Sequence, residues 1–246
     1  MTMKNIKTYE QLASDQSTGD RFLEAIRSNN YFACQEILKS GFDPNDWIDP
    51  ISNRTLLHFA VDYDPRIVEE LLDHGAEVDV EDDELCTPLH LAASHLRFDA
   101  ILMLIYYGSN VNAVDDIGST PLADCVKYAE WKFPTRMHRD KAKEIDELVD
   151  RCVRVFLKEG AKTDVELTEF RKKFTPLDVA IQRNLKQTAK TLIENGADFE
   201  RTFPDFEQAL EFFSPDTKWL WKYAYPDEDE RYVIKKQRKT KGLFGL

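Results

Sequence analysis

The hexapeptide Thr87-Pro88-Leu89-His90-Leu91-Ala92 does not stand alone in this chain. Variants occur at Thr55-Leu56-Leu57-His58-Phe59-Ala60, Thr120-Pro121-Leu122-Ala123-Asp124-Cys125 and Thr175-Pro176-Leu177-Asp178-Val179-Ala180. Successive copies are 32, 33 and 55 residues apart, the last spacing being one period plus 22 extra residues. A second marker keeps step with the first: Gly41, Gly75, Gly108, Gly160 and Gly196 each close an apolar run at helical spacing. Two markers in phase at one period indicate a stacked-repeat architecture.

The chemistry of one unit explains the pattern. The Thr87 hydroxyl can cap a helix whose first position is Pro88, where no N–H is needed. Leu89, Leu91 and Ala92 form an apolar side, and Ala92 is small enough for close helix packing. A second helix follows with Ile101, Leu102, Leu104 and Ile105, and Gly108 takes the left-handed conformation that ends it. Neither helix buries its apolar face alone, so neighbouring units must stack.

The Thr-Pro-Leu-His-x-Ala start, in phase with the closing glycines, resembles the ankyrin repeat. The resemblance covers about residues 20–203. It implies an all-α solenoid of five helix-turn-helix repeats joined by β-hairpin-like loops, with helical caps. It also implies that His58 and His90 hydrogen-bond within the turn and have no catalytic or metal role. Residues 1–19 are then a lead-in, and repeat one starts near Asp20 as N-cap, with Phe22-Leu23-Glu24-Ala25 in place of the motif. Residues 204–226 form a helical cap and residues 227–246 a charged tail. Two positions depart from the pattern: Leu85 and Leu96 stand where turn glycines are usual.

Repeat four carries the extra residues, an insertion at about 127–149. Pro134 breaks the intervening chain, so both helices are expected to extend into a longer antiparallel pair. Ile145, Leu148, Val149 and Cys152 trace an apolar stripe. Either the arm from Val126 to Phe133 covers that stripe, or the ridge is a second binding or dimerisation surface. The chain is expected to be a monomer, with dimerisation through this insertion as the alternative.

Charge and composition narrow the function. Residues 231–246 hold six basic groups and no acidic one, while the preceding 230 residues carry 27 basic and 45 acidic side chains, a net of −18. Nucleic acid is a poor partner for such a body. No run approaches the roughly 18 apolar residues of a membrane span. The N-terminus lacks the apolar core of a signal peptide. Cys34, Cys86, Cys125 and Cys152 form no metal-spaced cluster, so a cytoplasmic, reducing location is expected, with delivery into a host cell by a signal-free route as the alternative. No phosphate loop, nucleophile turn or zinc helix occurs, so no catalytic residue, cofactor or metal is expected. The competing class is an enzyme grafted on the insertion, where Tyr128, His138, Arg139 and Asp140 are the available polar groups.

In the family the hairpin tips and the exposed turn of the first helix line a concave face. Carried over by position, that face includes Asp62 and Tyr63 in repeat two. Repeat three adds Asp83, Glu84 and His95, and repeat four adds Asp116, Ile117 and Tyr128. Between Gly41 and Glu84 there are 14 acidic and two basic residues, ending in Glu81-Asp82-Asp83-Glu84. One reading is an acidic face, including Asp82, that steers a basic protein partner; the other is a solvated surface. Trp47 and Ile48 lie near the tip of the first hairpin. Trp47 is either an exposed anchor or folds down onto the neighbouring hairpin. The resemblance implies protein binding without catalysis, as in adaptors, inhibitors and, in microbes, host-directed effectors or immunity proteins.

Overall fold

The computed structural model describes residues 9–128, 139–169 and 172–198. The expected cap and charged tail lie outside them. Ten helices form five pairs: α1 (Tyr9–Arg27) with α2 (Tyr31–Lys39), α3 (Leu56–Ala60) with α4 (Pro65–Asp73), α5 (Pro88–Ser94) with α6 (Phe98–Tyr106), α7 (Pro121–Lys127) with α8 (Arg139–Lys158), and α9 (Pro176–Gln182) with α10 (Lys186–Glu194). The first helices stack in one layer, α1 on α3, α3 on α5, α5 on α7 and α7 on α9. The second helices stack likewise, α2 on α4 through to α8 on α10. The fold is an all-α solenoid. Its one strand pair among the described residues, β1 (Leu167–Glu169) with β2 (Lys172–Phe174), is the hairpin before the fifth repeat.

Each motif residue has a visible task. Thr55, Thr87, Thr120 and Thr175 are extended N-cap residues. Leu57, Leu89, Leu122 and Leu177 are buried between the layers with Leu71, Leu104, Phe156 and Leu192 of the second helices. His58 Nδ1 accepts the Thr55 N–H at 3.1 Å, which places the ring proton on Nε2 for donation to the Cys86 carbonyl at 3.0 Å. His90 repeats this with Thr87 at 3.1 Å and the Ser119 carbonyl at 3.3 Å. The histidine therefore closes its own turn and also ties its repeat to the next hairpin. Burial pushes the His58 imidazole down to about 4, and lowers His90 too, so both rings stay neutral. In repeat five Asp178 takes over the role, accepting the Thr175 N–H at 2.7 Å.

A second inter-repeat ladder starts four residues after Gly41, Gly75, Gly108 and Gly160. Asn45 donates to the Gly75 carbonyl and accepts from Glu77 N–H. Asp79 accepts from Asn110 N–H, Asn112 bridges Gly160 and Lys162, and Asp164 accepts from Asp198 N–H. These side chains satisfy turn backbone groups that no helix or strand reaches.

Three expectations are corrected. First, α1 begins at Tyr9, so Asp20 lies inside a helix and is not its N-cap. Second, α7 ends at Lys127 with Tyr128 as C-cap, so the first helix of repeat four has ordinary length; residues 129–138 lie outside the described part. Among the described residues the lengthened element is α8, 20 residues against nine in α6. Third, part of the α8 stripe is covered by the repeat stack: Val149 and Cys152 are buried, Ile145 and Leu148 partly so, and α8 packs on α7 and α10, while residues 129–133 of the opposing arm lie outside the described part. Asp146 of α8 accepts N–H bonds from Gln187 and Thr188, capping α10 from the neighbouring repeat. Asp150 accepts the Thr191 hydroxyl at 2.5 Å, and Arg154 bridges both residues.

Leu85 and Leu96 sit at φ +57° and +52°, in the left-handed region that glycine occupies without strain. Gly118, one repeat after Leu85, has φ +82°. The turn geometry is kept by the stack although the residue opposes it.

Candidate partner-binding groove

The turn after α3, the hairpins of repeats three and four, and the α5 and α7 segments line a groove of about 900 Å³. Its walls follow from the repeat geometry. The hairpin of repeat three closes through Asp82 N–H to the Cys86 carbonyl, and that of repeat four through Asp115 N–H to the Ser119 carbonyl. Backbone bonds from Asp83 to Ser52 and from Asp116 to Glu84 then stack the tips side by side. Asp62 and Tyr63 follow α3, Leu91 and Ser94 lie on α5 with His95 as its C-cap, and Asp124 and Tyr128 belong to the end of the α7 segment.

Seven of the eleven residues expected on the partner surface line this groove: Asp62, Tyr63, Glu84, His95, Asp116, Ile117 and Tyr128. Asp83 and Ile48 are exposed but lie outside its lining. Two are misplaced by the expectation. Trp47 is 1% exposed; its ring lies against Gly19 of α1 and edge-on to Phe59, and its Nε1 donates to Asp20 at 2.9 Å. Trp47 is thus buried and is not an exposed anchor, but it packs on α1 and on Phe59 of α3 rather than on the neighbouring hairpin. Asp82 is 3% exposed because its Oδ1 accepts the Glu84 and Cys86 N–H groups, while Oδ2 pairs with Arg54 at 2.8 Å. It is the core of its hairpin rather than part of an open acidic face.

The carboxylates of the groove differ in how far they are already committed. Asp62 is held by Arg97 at 3.0 Å and His95 at 2.9 Å. Burial opposes its ionisation, but these partners keep it below the usual carboxylate range. Glu84 and Asp116 are exposed on the rim. Asp115 and Asp124 form the floor. Burial raises Asp115, whose Oδ1 accepts the Ile117 and Ser119 N–H groups at 3.1 and 2.6 Å. Burial lifts Asp124 to about 7, against a hydrogen bond from the Ser119 hydroxyl at 2.5 Å. Sequence reasoning passed over both, although Asp115 has a signal: it stands five residues before its motif threonine, as Asp82 does.

Asp82, Glu84 and Cys86 each bring one potential ligand atom within 4.8 Å of the others. Arg54 already occupies Asp82, and burial holds the Cys86 thiol up at about 12, so the set is a poor cation ligand. Of the groups weighed for an enzyme on the insertion, Tyr128 lines the groove, and His138 lies outside the described residues. No helix among the described residues is long and apolar enough to cross a membrane.

Residues 22–115 match the family model for ankyrin repeats, in three copies. The chain is similar to Rabankyrin-5 of Mus musculus, 26% identical over 200 residues, which is 70% of this chain and 17% of that protein. It is also similar to the ankyrin repeat protein nuc-2 of Neurospora crassa, 27% identical over 230 residues, 89% of this chain and 19% of that protein. Zygote-specific protein 3 of Chlamydomonas reinhardtii is 34% identical over 111 residues, 44% of this chain and 29% of that protein. The chain thus spans less than a third of the length of each of these relatives.

Proposed function

The chain is built on ankyrin repeats, modules that generally mediate protein–protein interaction, and on that premise we propose that it binds a basic segment of a partner protein along the groove of repeats two to four. The observation that carries this reading is the groove's makeup. Glu84 and Asp116 rim it, Asp115 and Asp124 form its floor, and Tyr63, Leu91, Ile117 and Tyr128 supply contact area between them. Aromatic anchors beside exposed carboxylates are what a protein interface needs for both affinity and steering. Binding, not turnover, is the role that such a surface serves, in a compartment where the four cysteines remain thiols.

The test is affinity capture with the full chain as bait, compared across two charge-reversed variants. Glu84→Lys with Asp116→Lys alters the groove. Glu69→Lys with Glu159→Lys alters exposed acids that do not line it. Loss of the captured partner from the groove variant alone supports the reading. Equal retention by both variants, or partners without a basic segment, counts against it.

A further inference from the structure

Hairpins three and four are built alike, which allows a comparison of matched positions. Asp82 and Asp115 each stand five residues before the motif threonine. Each carboxylate accepts the two N–H groups of its own turn, from Glu84 and Cys86 in one case and from Ile117 and Ser119 in the other. The His58 and His90 bonds to the next hairpin's carbonyl repeat the correspondence. The two sites differ in one element. The residue before Thr55 is Arg54, whose Nε reaches Asp82 Oδ2 on the following hairpin at 2.8 Å. The residue before Thr87, in the matching place, is Cys86.

Cys86 therefore stands where a guanidinium would answer Asp115. Asp115 makes no ion pair among the described residues, and its hydrogen bonds come from its own turn. The surroundings remain acidic: Asp115, Asp124 and Glu84 all act on the Cys86 thiol and raise it. Lys127 is the opposing cation. It bears on both Asp115 and Asp124 from α7, with its ammonium 4.9 Å from the Tyr128 ring centroid. Glu84, Asp115, Asp116 and Asp124 outnumber it. Cys86 and Asp115 both open into the groove, which makes the place accessible from outside.

We propose that the groove holds an arginine-specific slot between Cys86 and Asp115, in which a partner's guanidinium takes the position that Arg54 fills over Asp82. The inference rests on the binding reading above and sharpens it to one side chain. Arginine is favoured over lysine because the turn occupies Asp115 Oδ1, and a planar guanidinium meets the remaining Oδ2 at a fixed angle, as Arg54 Nε meets Asp82 Oδ2.

The experiment is fluorescence anisotropy with fluorescein-labelled nona-arginine and nona-lysine peptides on the full chain. Wild type binds nona-arginine more tightly, by about fivefold or more. Cys86→Arg fills the slot from within and weakens nona-arginine by about tenfold, whereas Val114→Arg, the same charge at an exposed site outside the lining, weakens it less than about threefold. Asp115→Asn keeps the turn acceptor and abolishes the preference for arginine over lysine, which preserves the test should Cys86→Arg fail to fold. Equal weakening by Cys86→Arg and Val114→Arg, or equal binding of both peptides to wild type, overturns the slot. Binding that survives Cys86→Arg but is lost in Glu84→Lys with Asp116→Lys leaves the acidic groove standing and removes the slot. No binding of either peptide removes both.

Discussion

Asp146→Ala tests how the lengthened helix of repeat four is used. Leu185, the residue before α10, offers no side-chain cap. Asp146 supplies one from α8, with Oδ2 2.8 Å from Gln187 N and Oδ1 3.0 Å from Thr188 N. The Thr188 hydroxyl adds a third bond at 2.9 Å. Gln187 is exposed, so water replaces part of its loss, at a cost of about 1 kcal/mol, the usual value of a cap. Thr188 is fully buried, and stranding its N–H costs about 1–3 kcal/mol. Asp146→Ala should therefore destabilise by roughly 2–4 kcal/mol, and Asp146→Asn, which keeps one acceptor, by about 1–2 kcal/mol. Urea unfolding followed by circular dichroism gives the total. Because repeats can open singly, amide exchange at Gln187 and Thr188 gives the local part. A loss below about 0.5 kcal/mol, with both amides still protected, would refute the cross-repeat cap.

Three further outcomes are expected. Gly19→Ala should destabilise by about 1–3 kcal/mol in thermal unfolding despite alanine's better helix propensity, because the new methyl meets the Trp47 ring; an unchanged or raised Tm contradicts that packing. Leu85→Asn should raise stability by up to about 1 kcal/mol by relieving a left-handed leucine that is 44% exposed, while the same change at buried Leu96 should not; equal effects at both sites contradict the strain argument. His58 is neutral in the fold with its imidazole at about 4, while the unfolded chain protonates it near 6.5, so stability is full above that range and falls as pH drops through it. The His58 share is up to roughly 3 kcal/mol, and a His58→Gln variant should show a correspondingly flatter pH dependence of urea midpoints between pH 7 and 4.

Much of the fold was legible because the stacked unit repeats its own chemistry. Thr-Pro-Leu-His places a cap, a helix start and a core leucine by local rules, and each closing glycine ends a helix by its backbone freedom. What escaped depends on how units meet. Trp47 looked like an exposed hairpin residue because the space it fills is an absence, the missing side chain of Gly19 on a helix that starts at Tyr9. Asp82 looked like one acid in a charged run, yet its two turn bonds and Arg54 bury it. The Asn or Asp four residues after Gly41, Gly75, Gly108 and Gly160 was visible as a pattern, but its meaning needs the adjacent turn. The groove rim at Glu84, Asp116 and Ile117 was legible from position within the repeat. The floor at Asp115 and Asp124 was not, since only the packed hairpins show which acids lie together beneath the rim.

The central claim is that the partner lies along the groove, and backbone amide chemical-shift mapping with the nona-arginine peptide tests it most directly. The account predicts saturable shifts gathered at Tyr63, Glu84, His95, Asp116, Ile117 and Tyr128, with Ser119 moving as the slot fills. Shifts spread over Glu69, Asp99 and Glu159, on or just past the second helices, with the groove amides unmoved, contradict it.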